Sequence, residues 1–354
     1  MSDILDRYPN LRGNPAAMAM MCTVLRDKGL HDDAVALAWA AIDAAPGSTA
    51  IRTDVTATLA QQVPKYHVPM LLDHARNRAY AAAIARMVKP GMLVLEIGSG
   101  AGLVSMLCAR AGAQVVTCEE HPTIAAAAAR IIAQNGLADR ISLIRKRSTA
   151  MTVPDDLPRP ADLVIHEIFG SNLFDEGVTA ALADARERLL QPGAPSLPPL
   201  AKVRCMLASG PSAPSPQRLT NVEGFDLSAF EALAKPALSL HKQQGVRFAP
   251  LSNPVSGLSM DYDSPAPFGA MSETIIVDSH GGRIDGVVQW IALDFGNGET
   301  LENDPFAENP ESSWGVPYTP LVTPIETAPG DKLAITLRRR GTLLTIDVAR
   351  HIKA

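Results

Sequence analysis

The feature that most constrains the fold is an apolar run that ends in a glycine-rich turn. Residues 94–97 read Val-Leu-Glu-Ile and are followed by Gly-Ser-Gly-Ala-Gly at 98–102. The apolar run predicts a buried strand, and a helical pattern follows from about Leu103 to Ala111. Because glycine tolerates backbone conformations closed to other residues, such a turn can reverse tightly and approach a ligand closely. This order predicts the first strand–helix unit of a parallel sheet.

Helix and strand patterns then alternate throughout residues 64–198. The other predicted elements are helix Pro69–Val88, strand Gln114–Cys118, helix Thr123–Gln134, strand Ile141–Ile144, strand Asp162–Ile165 and helix Val178–Leu190. This alternation predicts an α/β domain with a doubly wound parallel sheet. Gln191-Pro192-Gly193 ends the last helix, and a Pro-rich stretch that ends at Pro199 marks the domain boundary.

The flanking regions have different patterns. Residues 1–63 are alanine-rich and predict a helical hairpin, whose apolar and glycine spacing resembles one tetratricopeptide unit. A single unit of that kind cannot bury its apolar face alone, so we expect it to pack on the rest of the protein or on a partner. Residues 199–354 contain short β-type runs separated by Gly, Pro, Ser and Asn, which predicts an antiparallel, barrel-like domain. The basic run at 338–340 precedes Gly341 and is expected at an exposed hairpin tip.

Composition excludes some classes of protein. The net charge of −5 argues against a general nucleic-acid binder, and no apolar run has the length of a membrane span. The first residues show no secretory signal, and the four cysteines are scattered without metal-type spacing. We therefore expect a cytoplasmic protein with no metal and no membrane partner.

The glycine turn is flanked by acidic residues that suit a nucleoside. Glu96 precedes the turn by two positions, and the second predicted strand ends just before Glu119, whose carboxylate can bind both ribose hydroxyls. The turn has Gly-x-Gly-x-Gly spacing, not the Gly-x-Gly-x-x-Gly of dinucleotide-binding proteins. The pattern resembles S-adenosylmethionine-dependent methyltransferases of the Rossmann-like class. The resemblance implies that S-adenosylmethionine is bound, and S-adenosylhomocysteine released, beside Glu96, Gly98, Gly100, Gly102 and Glu119.

A second acidic segment follows the predicted strand Asp162–Ile165. Glu167 and Glu176 are nine positions apart and flank a loop that contains Gly170. The segment begins at the carboxyl end of the strand, where open α/β sheets bind ligands. If the loop folds back, both carboxylates can face one pocket, and paired carboxylates suit a planar, permanently charged guanidinium. Taken alone, the segment is equally compatible with a solvated acidic loop.

The chain resembles the protein arginine methyltransferase family over about residues 64–350. The stretch 67–80 is similar to the helix that precedes the first strand in that family. The resemblance implies that Arg76 holds the carboxylate of the cofactor and that His67 contacts the cofactor. Ser148 and Thr149 occupy the positions that contact adenine.

The resemblance also covers the substrate site. Glu167 and Glu176 match the two glutamates with which the family grips the substrate guanidinium. Trp314 aligns with the tryptophan of the family's Thr-His-Trp loop, but here that loop reads Ser312-Ser313-Trp314 and lacks the histidine. Gly177 makes the acidic loop resemble the monomethylating, type III-like subfamily.

A further part of the resemblance concerns assembly. Residues 222–228 are similar to the end of the family's dimerisation arm, which we assign to about 209–228. The stretch 209–220 lacks the usual aromatic residues of that arm. The resemblance implies a homodimer.

The leading hypothesis is an S-adenosylmethionine-dependent N-methyltransferase that acts on arginine in a protein or peptide. Glu167 and Glu176 would orient the guanidinium. Two alternatives stay open at this point. The substrate can be a small guanidine or amine metabolite, or the chain can be a catalytically weak relative that binds the cofactor and serves as an interaction partner.

Overall fold

The computed structural model of the protein describes residues 4–60, 63–210, 221–229, 238–240, 248–264, 270–306 and 312–351. The chain divides into two compact units. The first unit comprises 1–68 and 84–164, and the second comprises 69–83 and 165–354. None of the described helices is long and apolar enough to cross a membrane.

The described residues contain α-helices and β-strands joined by turns and loops. The helices are α1 Ile4–Arg7, α2 Pro15–Asp27, α3 His31–Ala44, α4 Thr49–Leu59, α5 His67–Leu71, α6 His74–Met87, α7 Leu103–Arg110, α8 Pro122–Gln134 and α9 Val178–Arg188. The first five strands are β1 Leu93–Ile97, β2 Gln114–Cys118, β3 Ile141–Ile144, β4 Leu163–His166 and β5 Ser196–Leu197. The others are β6 Leu200–Ala208, β7 Leu238–Leu240, β8 Val255–Asp261, β9 Met271–Asp278, β10 Gly282–Asp294, β11 Thr300–Glu302, β12 Val316–Thr327, β13 Lys332–Arg340 and β14 Leu343–Arg350.

The alternating region forms a five-stranded sheet in the order β3-β2-β1-β4-β5. Strand β1 pairs in parallel with β2, and β2 pairs in parallel with β3. All five residues of β1 are buried, as expected for a strand covered on both faces. The predicted Rossmann-like α/β fold is confirmed, and the strand order reverses between β1 and β4, where such sheets bind ligands.

The single helix predicted over 69–88 is wrong, because the chain breaks between α5 and α6. The Asp73 carboxylate accepts a hydrogen bond of 3.0 Å from the backbone N–H of Arg76. Asp is a favoured residue at this position because its side chain satisfies a backbone donor of the first helical turn. The break therefore fixes where α6 begins and which way Arg76 projects.

The N-terminal helices form their own apolar cluster within the first unit. Buried side chains of α2, α3 and α4 pack together in this cluster, and they include Met18, Cys22 and Leu37. Helix α3 packs beside α8, where the Arg130 guanidinium pairs with Asp43 and lies 4.7 Å from the Trp39 ring centroid. The apolar face of the hairpin is thus covered by α4 and by this contact with α8.

The second unit contains the predicted antiparallel strands, and this part of the fold prediction is confirmed. One sheet has the order β7-β12-β10-β6-β8 with β11 beside β10, and another has the order β14-β13-β9. Strand β12 was not predicted, because it contains Pro317, Pro320 and Pro324, which have no N–H for a ladder. Trp290 and Tyr318 are buried in the core between these strands.

Candidate active site

The glycine turn joins β1 to α7 in the first unit. Gly98, Gly100 and Gly102 have φ angles of 85°, 51° and 80°, in the left-handed region that favours glycine. The backbone N–H groups of Gly98 and Ser99 donate to the carbonyl of Cys118, at 3.1 and 2.9 Å. A Cβ on Gly102 would lie only 3.2 Å from Ile132 of α8. The turn is therefore held against the end of β2 and against α8.

The two acidic residues predicted beside the cofactor are placed differently. Glu96 is buried, and its carboxylate accepts hydrogen bonds from the hydroxyls of Ser105 and Thr117. Glu119 stands at the end of β2 and accepts the N–H groups of Gly100, at 3.1 Å, and His121, at 2.9 Å. Glu96 thus secures the fold around the turn, whereas Glu119 lies against the turn itself. Each carboxylate oxygen has further lone pairs, so Glu119 can still accept hydroxyl donors.

The remaining predicted cofactor residues of the first unit lie on two segments. Ser148 is buried at the start of a short 3-10 turn after β3, and Thr149 beside it is exposed. His67 begins α5, and partial burial, with the nearby His121, lowers its pKa. A glycine turn with a carboxylate at the next strand end fits the nucleoside of S-adenosylmethionine, and these assignments stay predictions.

Arg76 and Glu167 form a buried ion pair in the second unit. Their side chains are only 5% and 9% exposed, and the Arg76 Nε donates to Glu167 Oε2 at 2.7 Å. The guanidinium also donates to Asn77 Oδ1 and lies 5.3 Å from the Tyr80 ring centroid. Burial alone would lower the pKa of Arg76, but the charge and hydrogen bond of Glu167 outweigh it and raise it. Arg76 therefore remains a cation and holds one carboxylate of the predicted pair.

Glu176 is in a different state from Glu167. Within the described part of the chain, its carboxylate takes part in no hydrogen bond or ion pair. Desolvation, followed by the charges of Asp175 and Glu167, raises the pKa of Glu176 to about 7. The charges of Asp175 and Glu167 both act on Glu176, so these two groups lie within electrostatic range of its carboxylate. Within the described residues, Glu167 is therefore paired and Glu176 is not.

The acidic loop, residues 167–176, is folded tightly by its own side chains. The Asn172 side-chain oxygen accepts the N–H groups of Phe174, at 2.8 Å, and Asp175, at 3.0 Å. Leu173 and Glu176 have φ angles of 71° and 60°, which cost roughly 1–2 kcal/mol each for residues with a side chain. Sequence reasoning missed Asn172 as a structural residue. The Asn-x-x-Asp spacing in a loop was an available signal, because Asn side chains commonly cap turns.

Trp314 lies beside the residues that follow Glu167. The Ser313 N–H donates to Asp73 Oδ2 at 3.1 Å, and the Trp314 ring stacks on Phe169 with a centroid distance of 6.1 Å. Asp73 therefore connects the start of α6 to the 312–315 segment. Sequence reasoning did not single out Asp73, although an Asp three positions before Arg76 is a helix-capping signal.

The basic run at 338–340 is not a uniformly exposed tip, which corrects that expectation. Arg339 is 2% exposed, lies 5.3 Å from the Phe174 ring centroid and donates to Thr179 Oγ1 at 3.0 Å. Strand residues alternate between faces, so Arg339 shares the inward face of β13 with Leu337. This alternation was readable in the sequence. Arg339 therefore packs against the acidic loop at Phe174.

His166 is unsuited to proton transfer. It is buried at the end of β4 with its ring edge-on to Tyr262, at a centroid distance of 4.6 Å. Burial, followed by the charge of Arg186, lowers the pKa of His166 to about 3. The imidazole is therefore neutral at physiological pH.

Comparison with known proteins identifies the family. An arginine N(omega)-methyltransferase of Streptomyces achromogenes subsp. streptozoticus is 33% identical over 294 residues, which cover 82% of this chain and 81% of that protein. The chain belongs to the protein arginine N-methyltransferase family. Protein arginine N-methyltransferase 7 of Drosophila ananassae is 33% identical over 264 residues, 68% of this chain but only 38% of the length of that protein. No protein-family model matches the chain.

Solved structures of the family share the fold. A Trypanosoma brucei PRMT1 enzyme–prozyme heterotetrameric complex with AdoHcy superposes with a TM-score of 0.68 at 21% identity, covering 82% of this chain and 94% of that one. Arabidopsis thaliana protein arginine methyltransferase 10 gives a TM-score of 0.63 at 19% identity, covering 82% and 98%. The predictions of family and of a methyltransferase are confirmed, and the subfamily stays a prediction.

Proposed function

We propose that this family member transfers a methyl group from S-adenosylmethionine to the guanidinium of arginine. One observation carries the proposal: the acidic loop holds Glu167 in a buried ion pair with Arg76, whereas Glu176 has no partner among the residues that the structure describes. A carboxylate that is partly desolvated beside two other carboxylates is stabilised when a cation binds. A guanidinium supplies that charge and, with its planar donors, the geometry for carboxylate recognition.

The physical task of the site is to bring a second cation to a cationic donor. The cofactor, when bound, supplies an electrophilic methyl group, and the arginine guanidinium stays protonated and cationic at physiological pH because its pKa is very high. Glu176 would bind the guanidinium, while Glu167, fixed by Arg76, would orient it. Most of the rate acceleration would come from positioning and fixed negative charge.

Glu176 is also the proposed proton acceptor. Methyl transfer to a protonated guanidinium leaves one proton to be removed from the methylated group. Within the described residues, Glu176 is the carboxylate of the loop that has no hydrogen-bond partner, and its pKa of about 7 suits proton exchange near neutral pH. His166 does not compete for this role, because it is buried and its pKa is low.

We propose that the first unit carries the cofactor site. The residues proposed for it in that unit are His67, Glu96, Gly98, Gly100, Gly102, Glu119, Ser148 and Thr149. The role of Arg76 toward the carboxylate of the cofactor is a proposal from the family resemblance alone. Glu119 would accept the ribose hydroxyls, and the glycine turn would let the backbone approach the nucleoside. Glu96 would act by supporting the turn, because its carboxylate already accepts two hydroxyls.

Two substrate classes remain in competition. The relative that matches along 81% of its length is named for arginine, which favours the small-molecule alternative. Other relatives are named as protein arginine methyltransferases, which favours a peptide substrate. One of them is protein arginine N-methyltransferase 7 of Drosophila ananassae, of which the match covers 38%. In either case we propose Trp314 as a substrate contact and, from Gly177, a monomethylated product.

Mass spectrometry of reaction products tests the proposal. The protein is incubated with S-adenosylmethionine and, separately, free arginine, an Arg-Gly-rich peptide and a Lys-substituted peptide as control. We expect one methyl on an arginine guanidinium and none on the Lys peptide. Binding of S-adenosylhomocysteine without any transfer would instead support a catalytically weak interaction protein. Absence of cofactor binding in calorimetry would contradict methyl transfer altogether.

A further inference from the structure

Asp175 closes the acidic loop. Its Oδ1 accepts a hydrogen bond of 2.5 Å from the backbone N–H of Gly170, five residues earlier. Gly170 leaves just enough room for this contact, because a Cβ there would lie 2.6–2.9 Å from the Asp175 carboxylate atoms. The N–H of Leu173 also donates to the carbonyl of Gly170, at 3.0 Å. Asp175 and Gly170 therefore form a clasp across the loop.

The clasp ends one residue before Glu176. The backbone of Glu176 is in the left-handed region, and Gly177, which follows, is left-handed as well. The left-handed backbone is unfavourable for any residue other than glycine. Neighbouring contacts are therefore needed to hold Glu176 in this conformation. The bonds of Asn172 and Asp175 supply those contacts immediately before Glu176. The direction of the Glu176 carboxylate thus depends on the clasp.

The charged groups that act on the acidic loop come from several elements. Asp175 and Glu167, both of the loop, act on Glu176. Arg76 and Asp73 of the 69–83 segment act on Glu167, and Arg339 of β13 contacts the loop at Phe174. Arg76 is already paired with Glu167. Of the two charges that raise the pKa of Glu176, that of Asp175 has the larger effect.

We propose that Asp175 is a positioning residue that holds the acidic loop closed and so fixes where Glu176 meets the substrate guanidinium. This inference rests on the proposed function of Glu176. Asp175 touches neither substrate nor cofactor in this role. It acts through its hydrogen bond to Gly170 and through its position beside Glu176.

Two substitutions separate the clasp from other effects. Asp175→Ala removes the acceptor, and kcat/KM for arginine should fall about 10- to 100-fold, mostly through KM, because the carboxylate is misplaced. Asp175→Asn keeps an oxygen that can accept the Gly170 N–H, so kcat/KM at pH 8 should stay near wild type. Asp184→Asn removes a carboxylate from α9 outside the loop and is the matched control. Calorimetry with S-adenosylhomocysteine should give unchanged affinity in all three variants.

The pH profile adds a readout that a merely structural role would not move. Asp175→Asn removes the negative charge beside Glu176, so the pKa of Glu176 should fall and the acid limb of kcat/KM should shift to lower pH. Asp184→Asn should leave the acid limb in place. An unmoved limb in Asp175→Asn would overturn the proposal, because it would mean that Asp175 does not lie against Glu176.

The kinetic outcomes are equally decisive. Wild-type kinetics in Asp175→Ala would overturn the clasp. The clasp would also be overturned if, at pH 8, Asp175→Asn lowered kcat/KM as much as Asp175→Ala. Failure of the proposed function looks different, because the wild-type protein would then methylate no arginine substrate. In that case the clasp is tested by proton NMR of the Gly170 amide, recorded without S-adenosylhomocysteine. A downfield-shifted amide that moves in Asp175→Ala but persists in Asp175→Asn supports the clasp, and an unmoved amide overturns it.

Discussion

At the scale of single residues, the two glutamates of the acidic loop are not equivalent. Glu167 is held by a buried arginine, whereas Glu176 has an elevated pKa and no partner within the described residues. The sequence predicted the pair and its position after a strand. It did not predict the asymmetry, because that depends on which carboxylate Arg76 reaches in the folded chain.

Replacement of Glu176 by glutamine should abolish most turnover. The substitution preserves shape and removes the charge that would bind the guanidinium, so kcat should fall about 100- to 1000-fold. Affinity for S-adenosylhomocysteine, measured by calorimetry, should be unchanged. Glu187→Gln, on the exposed part of α9, controls for loss of a glutamate. A Glu176→Gln enzyme as active as the control would remove Glu176 from the mechanism.

The Arg76–Glu167 pair should matter for stability. Arg76→Met leaves a buried carboxylate without its cation, so the free energy of unfolding at pH 8 should drop by roughly 3–5 kcal/mol. Arg78→Met, at an exposed position on the same helix, is the control and should change little. Urea denaturation followed by circular dichroism measures both. Equal stability of the two variants would show that the pair is not buried in solution.

At the scale of elements, capping of α6 links two parts of the second unit. Asp73 accepts the Arg76 N–H at one oxygen and the Ser313 N–H at the other. Asp73→Ala should therefore lower the free energy of unfolding by about 1–2 kcal/mol, since it removes a helix cap and leaves a second donor unsatisfied. Asp73→Asn keeps one acceptor oxygen but puts an NH2 donor in place of the other, so in thermal denaturation it should recover only part of that loss. An Asp73→Ala variant as stable as the wild-type protein would contradict the capping role.

Elements were predictable where the local pattern matched the final environment. Parallel strands such as β2 and β3 read as short, largely apolar runs, and their predicted bounds agree with the structure. Strand β12 was hidden because its prolines oppose a strand, yet pairing with β10 overrides that local preference.

Arg339 was misjudged because the run of three arginines was treated as one unit, although alternation along β13 buries the middle one. Asp175 was visible beside Glu176, but its bond to Gly170 depends on how the loop closes.

At the scale of the whole molecule, each unit carries one half of the proposed chemistry. The first unit contains the glycine turn and Glu119, and the second contains Arg76 and the acidic loop. The fold class, the family and the methyltransferase assignment followed from the order of motifs in the sequence. The substrate class did not, because it depends on contacts beyond the guanidinium that no motif encodes.

Assembly is also a property at this scale. Phe225 is 69% exposed and Leu227 is 45% exposed in the segment assigned to the dimerisation arm. We expect a homodimer in size-exclusion chromatography with light scattering, because exposed apolar side chains of this kind commonly mark interfaces. Phe225→Ser should shift the population toward monomer, whereas Phe306→Ser, at an exposed position outside the arm, should not. A monomeric wild-type protein at micromolar concentration would contradict the assignment.

The central claim is that Glu176 binds the substrate guanidinium as a carboxylate, and proton release on binding tests it most directly. Titration calorimetry of the S-adenosylhomocysteine-loaded protein is performed with the preferred arginine substrate in buffers of different ionisation enthalpy. With a pKa of about 7, Glu176 is about half protonated at pH 7, and a bound cation favours its ionised form. The wild-type protein should therefore release about half a proton at pH 7, more at pH 6 and little at pH 8. Glu176→Gln should bind the substrate more weakly and release none. Equal affinity and equal proton release in the two proteins would contradict the account.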